Sequence, residues 1–202
     1  KEKVKLHVIS FRKNYGHSIC HAKTTLNEKG LNFNSCTICG VMRRRLYNLA
    51  AKQANATKIA TGHNMDDEAQ SILMNLLKNK QNLNARITPK QKIINKELVP
   101  RIKPLFFITE DEITRYSKAM NFPVHYGMCP CAITSTRYKI RQLIKELKKI
   151  NPDTKPNIID FFFTMKNKII TKKTTNKLKK CKNCGEPATT NTCRSCQILN
   201  QL

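Results

Sequence analysis

The stretch Lys58-Ile-Ala-Thr-Gly-His-Asn-Met-Asp-Asp-Glu-Ala-Gln70 decides more of the fold than any other in this 202-residue chain. Its first part, Lys58–Gly62, reads as a short strand that Gly62-His63-Asn64 breaks. Asn64 suits the N-cap of a helix whose first turn holds Asp66, Asp67 and Glu68, acids that favour the positive end of the helix dipole. Ala69, Ile72, Leu73, Leu76 and Leu77 recur at three- and four-residue steps and give that helix its predicted buried face. Strand, tight turn and helix are the unit from which parallel α/β sheets are built.

Outward from this unit the alternation continues. Val4–Ser10 alternates apolar and polar residues and is predicted as a strand. Its abrupt opening, with no preceding cap or turn, reads as a start inside a domain. Arg12–Ser35 reads as a basic, polar loop carrying Cys20 and His21. Ile38 to about Asn55 is helical, with Met42, Leu46, Leu49 and Ala50 in step. Residues 79–97 read as a polar loop, and Leu98–Ile108 as a strand interrupted by Pro100 and Pro104. Thr109-Glu-Asp-Glu112 is a capping box for a helix ending near Met120. Pro123–Tyr126 is predicted as a short strand, followed by a loop with Cys129-Pro-Cys131. Helices follow at Ser135–Ile150 and about Pro156–Ile170, and Thr171–Lys180 is a basic linker. No internal repeat is present. The pattern predicts an α/β fold, a parallel sheet with helices on both faces, whose ligands bind beyond the carboxyl ends of the strands. His63–Asp67 and Cys129 both follow predicted strands and so are placed to meet there.

Composition narrows the partner. Lys and Arg total 38 against 13 Asp and Glu, a net charge of +25, while 40% hydrophobic residues are too many for a disordered basic tail. Such charge calls for a polyanion. The six glycines are scattered, no two closer than ten positions, so these residues hold no glycine-rich phosphate cradle. No run approaches the ~18 apolar residues of a membrane span, and Lys-Glu-Lys-Val-Lys is no signal peptide. A cytoplasmic location with no membrane partner is therefore expected. In that setting the nine cysteines are metal ligands or catalytic thiols before they are disulfides.

Cys181-x2-Cys184-x8-Cys193-x2-Cys196 has the paired spacing of a closed, tetrahedral zinc site, with redox pairs or an iron–sulfur cluster as the alternatives. Cys36-Thr-Ile-Cys39-Gly stands at a predicted helix start, a place that stabilises a thiolate. With Cys129 and Cys131 it fits either a structural metal or a cluster; three thiolates on a [4Fe-4S] cluster leave one iron open, and four close it. Asp66 and Asp67 are either capping residues or carboxylates that position Mg²⁺ or an adenylated intermediate, and His63 is either a turn residue or part of that site. Arg43-Arg44-Arg45 is either a solvated face or a phosphate-binding one. Arg137, Lys139, Arg141, Lys145, Lys148 and Lys149, with Lys166–Lys182, make a positive tract suited to a nucleic-acid backbone.

Taken in order, Cys36-Thr-Ile-Cys-Gly-Val-Met-Arg-Arg, Ala60-Thr-Gly-His-Asn-Met-Asp-Asp-Glu-Ala-Gln70, Val99-Pro-Arg-Ile-Lys-Pro-Leu105, Cys129-Pro and the terminal cysteine module resemble the tRNA 2-thiouridine synthetases of the TtuA/NcsA type, relatives of TtcA. The resemblance covers essentially the whole chain. It implies a partial doubly wound parallel sheet of the adenine nucleotide alpha-hydrolase kind with a small C-terminal zinc finger. It divides the chain into an ATP-pyrophosphatase-like domain (1–150), a helix and basic linker (151–180) and the finger (181–202). It implies ATP-dependent adenylation of a tRNA uridine at its C2 oxygen, then displacement of AMP by sulfur from sulfide or a ubiquitin-like sulfur carrier. Carried over, Cys36, Cys39 and Cys129 hold a [4Fe-4S] cluster, and Asp67 and Arg43 are catalytic. Gly62, His63 and Asp66 lie near the nucleotide and Mg²⁺. Arg137 and Arg141 face tRNA, and Cys181, Cys184, Cys193 and Cys196 hold Zn²⁺. The family has an aromatic residue where Cys131 stands, and an acid where Met128 stands. Its Ser-Gly-Gly-x-Asp-Ser phosphate loop is not in these residues. The resemblance therefore implies a fragment or a split enzyme with an N-terminal partner supplying that loop, and family members pair as homodimers. The rival expectation is a non-catalytic RNA-binding protein with structural metal sites.

Overall fold

A computed structural model describes residues 4–91, 93, 95–169 and 178–202. The chain forms two compact units, Lys1–Thr57 with Ile93–Val99 and Asn176–Leu202, and Lys58–Lys92 with Pro100–Thr175.

The first unit is built on helices α1 (Phe11–Tyr15), α2 (Ile19–Glu28) and α3 (Ser35–Gln53). Where a basic loop was expected at Arg12–Ser35, two helices stand instead, because Ser10 accepts from the Lys13 amide and Ser18 from the His21 amide as side-chain N-caps. Ala22 and Leu26, one turn apart, then pack against Ile38 and Met42 of α3. Val4–Ser10, expected as a strand, has no strand structure, and Val4, Leu6 and Val8 are at least 80% exposed. Alternation makes a strand only where a neighbour takes up its backbone groups.

The second unit opens with β1 (Ile59–Ala60), α4 (Met65–Leu77) and α5 (Gln81–Asn84), the last a single turn in the expected polar loop. β2 (Arg101–Ile102) is much shorter than the strand expected over Leu98–Ile108, since Pro104 lacks an amide donor and Leu105–Ile108 turns back on itself. β1 and β2 pair in parallel, Ile59 opposite Arg101 and Ala60 opposite Ile102. Next come α6 (Glu110–Ala119), a 3₁₀ turn over Pro130–Ala132, α7 (Thr136–Ile150) and α8 (Thr154–Ile169). No strand forms at Pro123–Tyr126, where the Val124 amide closes a local turn onto the Phe122 carbonyl. α4 packs against α7 and α8 around Ala69, Ile72, Phe106, Ile140, Ile144, Ile159 and Phe162. The buried face of α4 ends earlier than its periodicity predicts, because Leu76 and Leu77 are 65% and 70% exposed.

The expected linker Thr171–Lys180 lies outside the described residues up to 177. After it, β3 (Lys179–Lys180) and β4 (Pro187–Ala188) form an antiparallel pair, followed by α9 (Arg194–Leu199). Ile198 of α9 is fully buried among Ala22, Leu26, Ile38 and Met42, so the terminal cysteine module shares the core of the first unit.

Candidate active site

Asn34 caps α3, its side-chain oxygen 2.8 Å from the Cys36 amide, which puts Cys36 and Cys39 three residues apart on the first turn. Cys36 is exposed and Cys39 half-buried. Arg43, one turn on, donates to Cys39 Sγ at 2.9 Å. The three consecutive arginines thus do not form one surface: Arg43 serves Cys39, whereas Arg45 points toward Cys196, its Nη1 3.9 Å from that sulfur.

In the second unit the strand tip is organised by two capping boxes. Asn64 and Asp67 cap α4 reciprocally, and Thr109 and Glu112 do the same for α6. Asp66 is buried; its carboxylate pairs with Lys155 of α8 and accepts from the Glu110 amide at 2.9 Å. Glu68, also buried, pairs with Lys103 at 2.8 Å. Asp67 turns the other way, with 36% of its side chain exposed and Oδ1 3.5 Å from Arg137 Nη1. Arg137 also reaches the Asp67 carbonyl at 3.2 Å, Gln70 Oε1 at 3.3 Å and Ser71 Oγ at 2.9 Å. Arg141 pairs with Glu110 at 2.6 Å. Gly62 and His63 are exposed on the β1–α4 turn, His63 Nδ1 2.9 Å from Thr61 Oγ1. Cys129 is exposed at the start of the 3₁₀ turn and Cys131 half-buried within it. Cys36, Cys39 and Arg43 thus sit together in the first unit, whereas Asp67, Gly62, His63, Arg137 and Cys129 belong to the second.

The terminal cysteines converge: all four sulfurs lie within 4.8 Å of one another. Tetrahedral zinc with Zn–S near 2.3 Å requires sulfurs about 3.8 Å apart, and Cys184 and Cys193 stand at 3.7 Å. The Cys193 amide donates to Cys181 Sγ at 3.2 Å and the Cys196 amide to Cys193 Sγ at 3.4 Å. The first of these bonds draws the Cys181 thiol down to about 6, while burial pushes Cys184 and Cys196 up. Four sulfurs at ligand spacing, one of them already favouring thiolate, fit a tetrahedral metal centre. The sequence did not signal the residues that anchor this module, Asn48 and Lys52: Asn48 donates to Glu186 Oε2 at 2.9 Å and Lys52 to Glu186 Oε1 at 2.9 Å. Among the described residues no helix is long and apolar enough to cross a membrane.

A short parallel strand pair leading into the capped helix α4, which carries the half-buried Asp67, gives the second unit an α/β arrangement. The fold matches the U34-tRNA thiolase NcsA from Methanococcus maripaludis, solved with its [4Fe-4S] cluster, at a TM-score of 0.66 and 27% identity over 85% of this chain and 54% of that one. Curated relatives include cytoplasmic tRNA 2-thiolation protein 1 of Caenorhabditis elegans, 31% identical over 201 residues, 98% of this chain and 51% of the relative. The tRNA-5-methyluridine(54) 2-sulfurtransferase of Thermotoga maritima is 32% identical over 83% of this chain and 54% of its own length. The tRNA 2-thiolation protein NcsA of Haloferax volcanii is 30% identical over 85% and 56%. No family model matches the chain. The chain is thus similar to the tRNA 2-thiolation proteins, and it spans about half the length of the curated relatives it matches.

Proposed function

We propose that this chain is the cluster- and tRNA-binding portion of a tRNA-uridine 2-sulfurtransferase. The observation that carries this reading is the first turn of α3, where Arg43 holds the sulfur of Cys39 three residues from the exposed Cys36. Two cysteines at this spacing on one helix start, one of them held by a guanidinium, can supply two of the thiolate ligands that an iron–sulfur cluster needs. Cys36, Cys39 and Cys129 would hold a [4Fe-4S] cluster whose remaining iron binds the incoming sulfur. Asp67, with part of its carboxylate in water, is the acid suited to the Mg²⁺ and nucleotide side of the reaction; Asp66, sealed by Lys155, supports it from behind. Gly62 and His63 form the exposed turn over which the adenylate would lie.

On this reading β1 and β2 belong to a doubly wound parallel sheet in an ATP-pyrophosphatase-like domain (1–150), joined through 151–180 to a zinc finger at 181–202. Cys181, Cys184, Cys193 and Cys196 hold Zn²⁺, which fixes that finger. The ATP phosphates are bound by a loop contributed from outside these residues, by an upstream segment or a partner chain. Arg137 and Arg141 face tRNA phosphate. Arg141 would exchange Glu110 for phosphate, while Arg137 keeps its anchor on α4. The sulfur donor is sulfide or a sulfur-carrier protein, and a homodimer fits the family.

The test is anaerobic thiolation of tRNA with ATP and sulfide in the presence of the upstream segment, read as thiouridine by mass spectrometry of digested tRNA. Thiouridine should form and vanish in Cys36→Ala. Undiminished product from Cys36→Ala sinks the assignment.

A further inference from the structure

The first unit ties its two sulfur centres to a single helix. Met42, Arg45, Asn48 and Lys52 follow one face of α3 at steps of three or four, and each meets the terminal module. Met42 Sδ accepts from the buried Ser195 hydroxyl at 3.1 Å, and Asn48 and Lys52 grip the Glu186 carboxylate. Arg45 alone of the four reaches a candidate metal ligand, with Nη1 3.9 Å from Cys196 Sγ. Its guanidinium lies over the Tyr15 ring at 5.8 Å, and its Nε is buried with no hydrogen-bond partner. Tyr15 is fixed in turn by donating to the Met42 carbonyl at 3.2 Å. A solvated arginine of a charge run has no reason to enter such a place, where an unpartnered donor costs free energy. A tetrathiolate zinc centre supplies one, because four thiolates and Zn²⁺ carry a net charge of about −2.

We propose that Arg45 is the positioning residue of the terminal metal centre. It compensates the tetrathiolate charge, holds Cys196 in its ligating orientation and ties the centre to α3, the helix that presents Cys36 and Cys39. The proposal rests on the zinc reading above. Outer-shell partners of metal ligands typically contribute 10- to 100-fold in affinity, and a lysine keeps the charge while losing the fork.

The experiment compares zinc release from the full chain, wild type against Arg45→Gln and Arg45→Lys, into a chromophoric chelator near neutral pH. Hydrogen exchange of the α3 amides is followed in parallel. Arg45→Gln should release zinc about tenfold faster or more, and Arg45→Lys should stay within about threefold of wild type. Zinc-loaded Arg45→Gln should also show the faster α3 exchange that wild type shows only after zinc is stripped. If Arg45→Gln does not fold unaided, refolding it in excess zinc before the chase gives the same comparison. Equal release from all three chains overturns the proposal. Release that is equally fast from both variants overturns charge compensation as its basis. A wild-type chain that binds no zinc is a different failure: it removes the zinc reading, and this proposal with it.

Discussion

Asp66 accepts from Lys155 and from the Glu110 amide, whereas Asp67, one position on, keeps about a third of its side chain in water. The two carboxylates should therefore fail in different ways. Lys155→Met leaves Asp66 buried without its cation and should cost about 3–5 kcal/mol in urea unfolding. Adding Asp66→Asn to it should recover much of that loss, because the uncompensated charge is gone. Asp67→Asn keeps an acceptor for the Asn64 amide and should leave stability within about 1 kcal/mol while abolishing thiouridine formation. A stable, fully active Asp67→Asn enzyme would remove Asp67 from the site. The sequence marked both acids but not which of them is sealed. That choice is made by Lys155 of α8 and the amide at the start of α6, which reach Asp66 only through tertiary packing. The arginine run divides for the same reason, since Cys39 and Cys196 attract different members of it.

The elements most legible in the sequence are those whose signals are local. The Thr109–Glu112 capping box and the Asn64 N-cap stand where the sequence placed them, while the return bond from Asp67 that makes the latter a box was not read from it. Asn64→Ala should lower stability by about 1 kcal/mol in a denaturant melt, and an unchanged midpoint would show the cap idle. α1 and α2 were illegible because each begins on a lone serine and polar residues mask the Ala22–Leu26 stripe. Strands were over-read at Val4–Ser10 and Pro123–Tyr126, since alternation records a tendency and pairing decides the outcome. A contact between elements sets the acid response. Lys148 of α7 bonds Asp111 of α6 at 2.8 Å, and this bond, before any other influence, holds the Asp111 carboxyl below its ordinary value. The folded value lies below the unfolded one. The contribution is therefore complete above the ordinary carboxyl pKa of about 4 and is lost as pH falls through the lowered value. Lys148→Met should melt below wild type near neutrality, with the gap closing in strong acid. A gap that does not change with pH would mean that Lys148 acts through packing instead.

At the scale of the whole molecule the net charge of +25 is what remains of 38 basic side chains after all 13 carboxylates are counted, so pairing decides which cations face a partner and not how large the excess is. Arg137, Arg141, Lys148, Lys149 and Lys155 already have carboxylate partners. Net charge was legible in the sequence, but the identity of the paired cations was not, the i,i+3 pair Lys149–Glu146 apart, because Asp66, Asp67, Glu110 and Asp111 are distant in sequence from their partners. tRNA affinity should fall steeply and log-linearly with salt, and Arg141→Gln should flatten that slope by about one. A slope equal to wild type would take Arg141 off the tRNA surface. The family motif around Cys36 and Cys39 was legible residue by residue, and α3 places both cysteines on one turn beside Arg43. Anaerobic reconstitution with iron and sulfide tests the central claim most directly, read as iron and sulfide per chain and as thiolate–iron absorbance near roughly 420 nm. The expected result is about four irons and four sulfides per chain, with both lost in Cys36→Ala, Cys39→Ala and Cys129→Ala but kept in Cys131→Ala and Cys20→Ala. A chain that takes up zinc at Cys36 and Cys39 and assembles no cluster would contradict it.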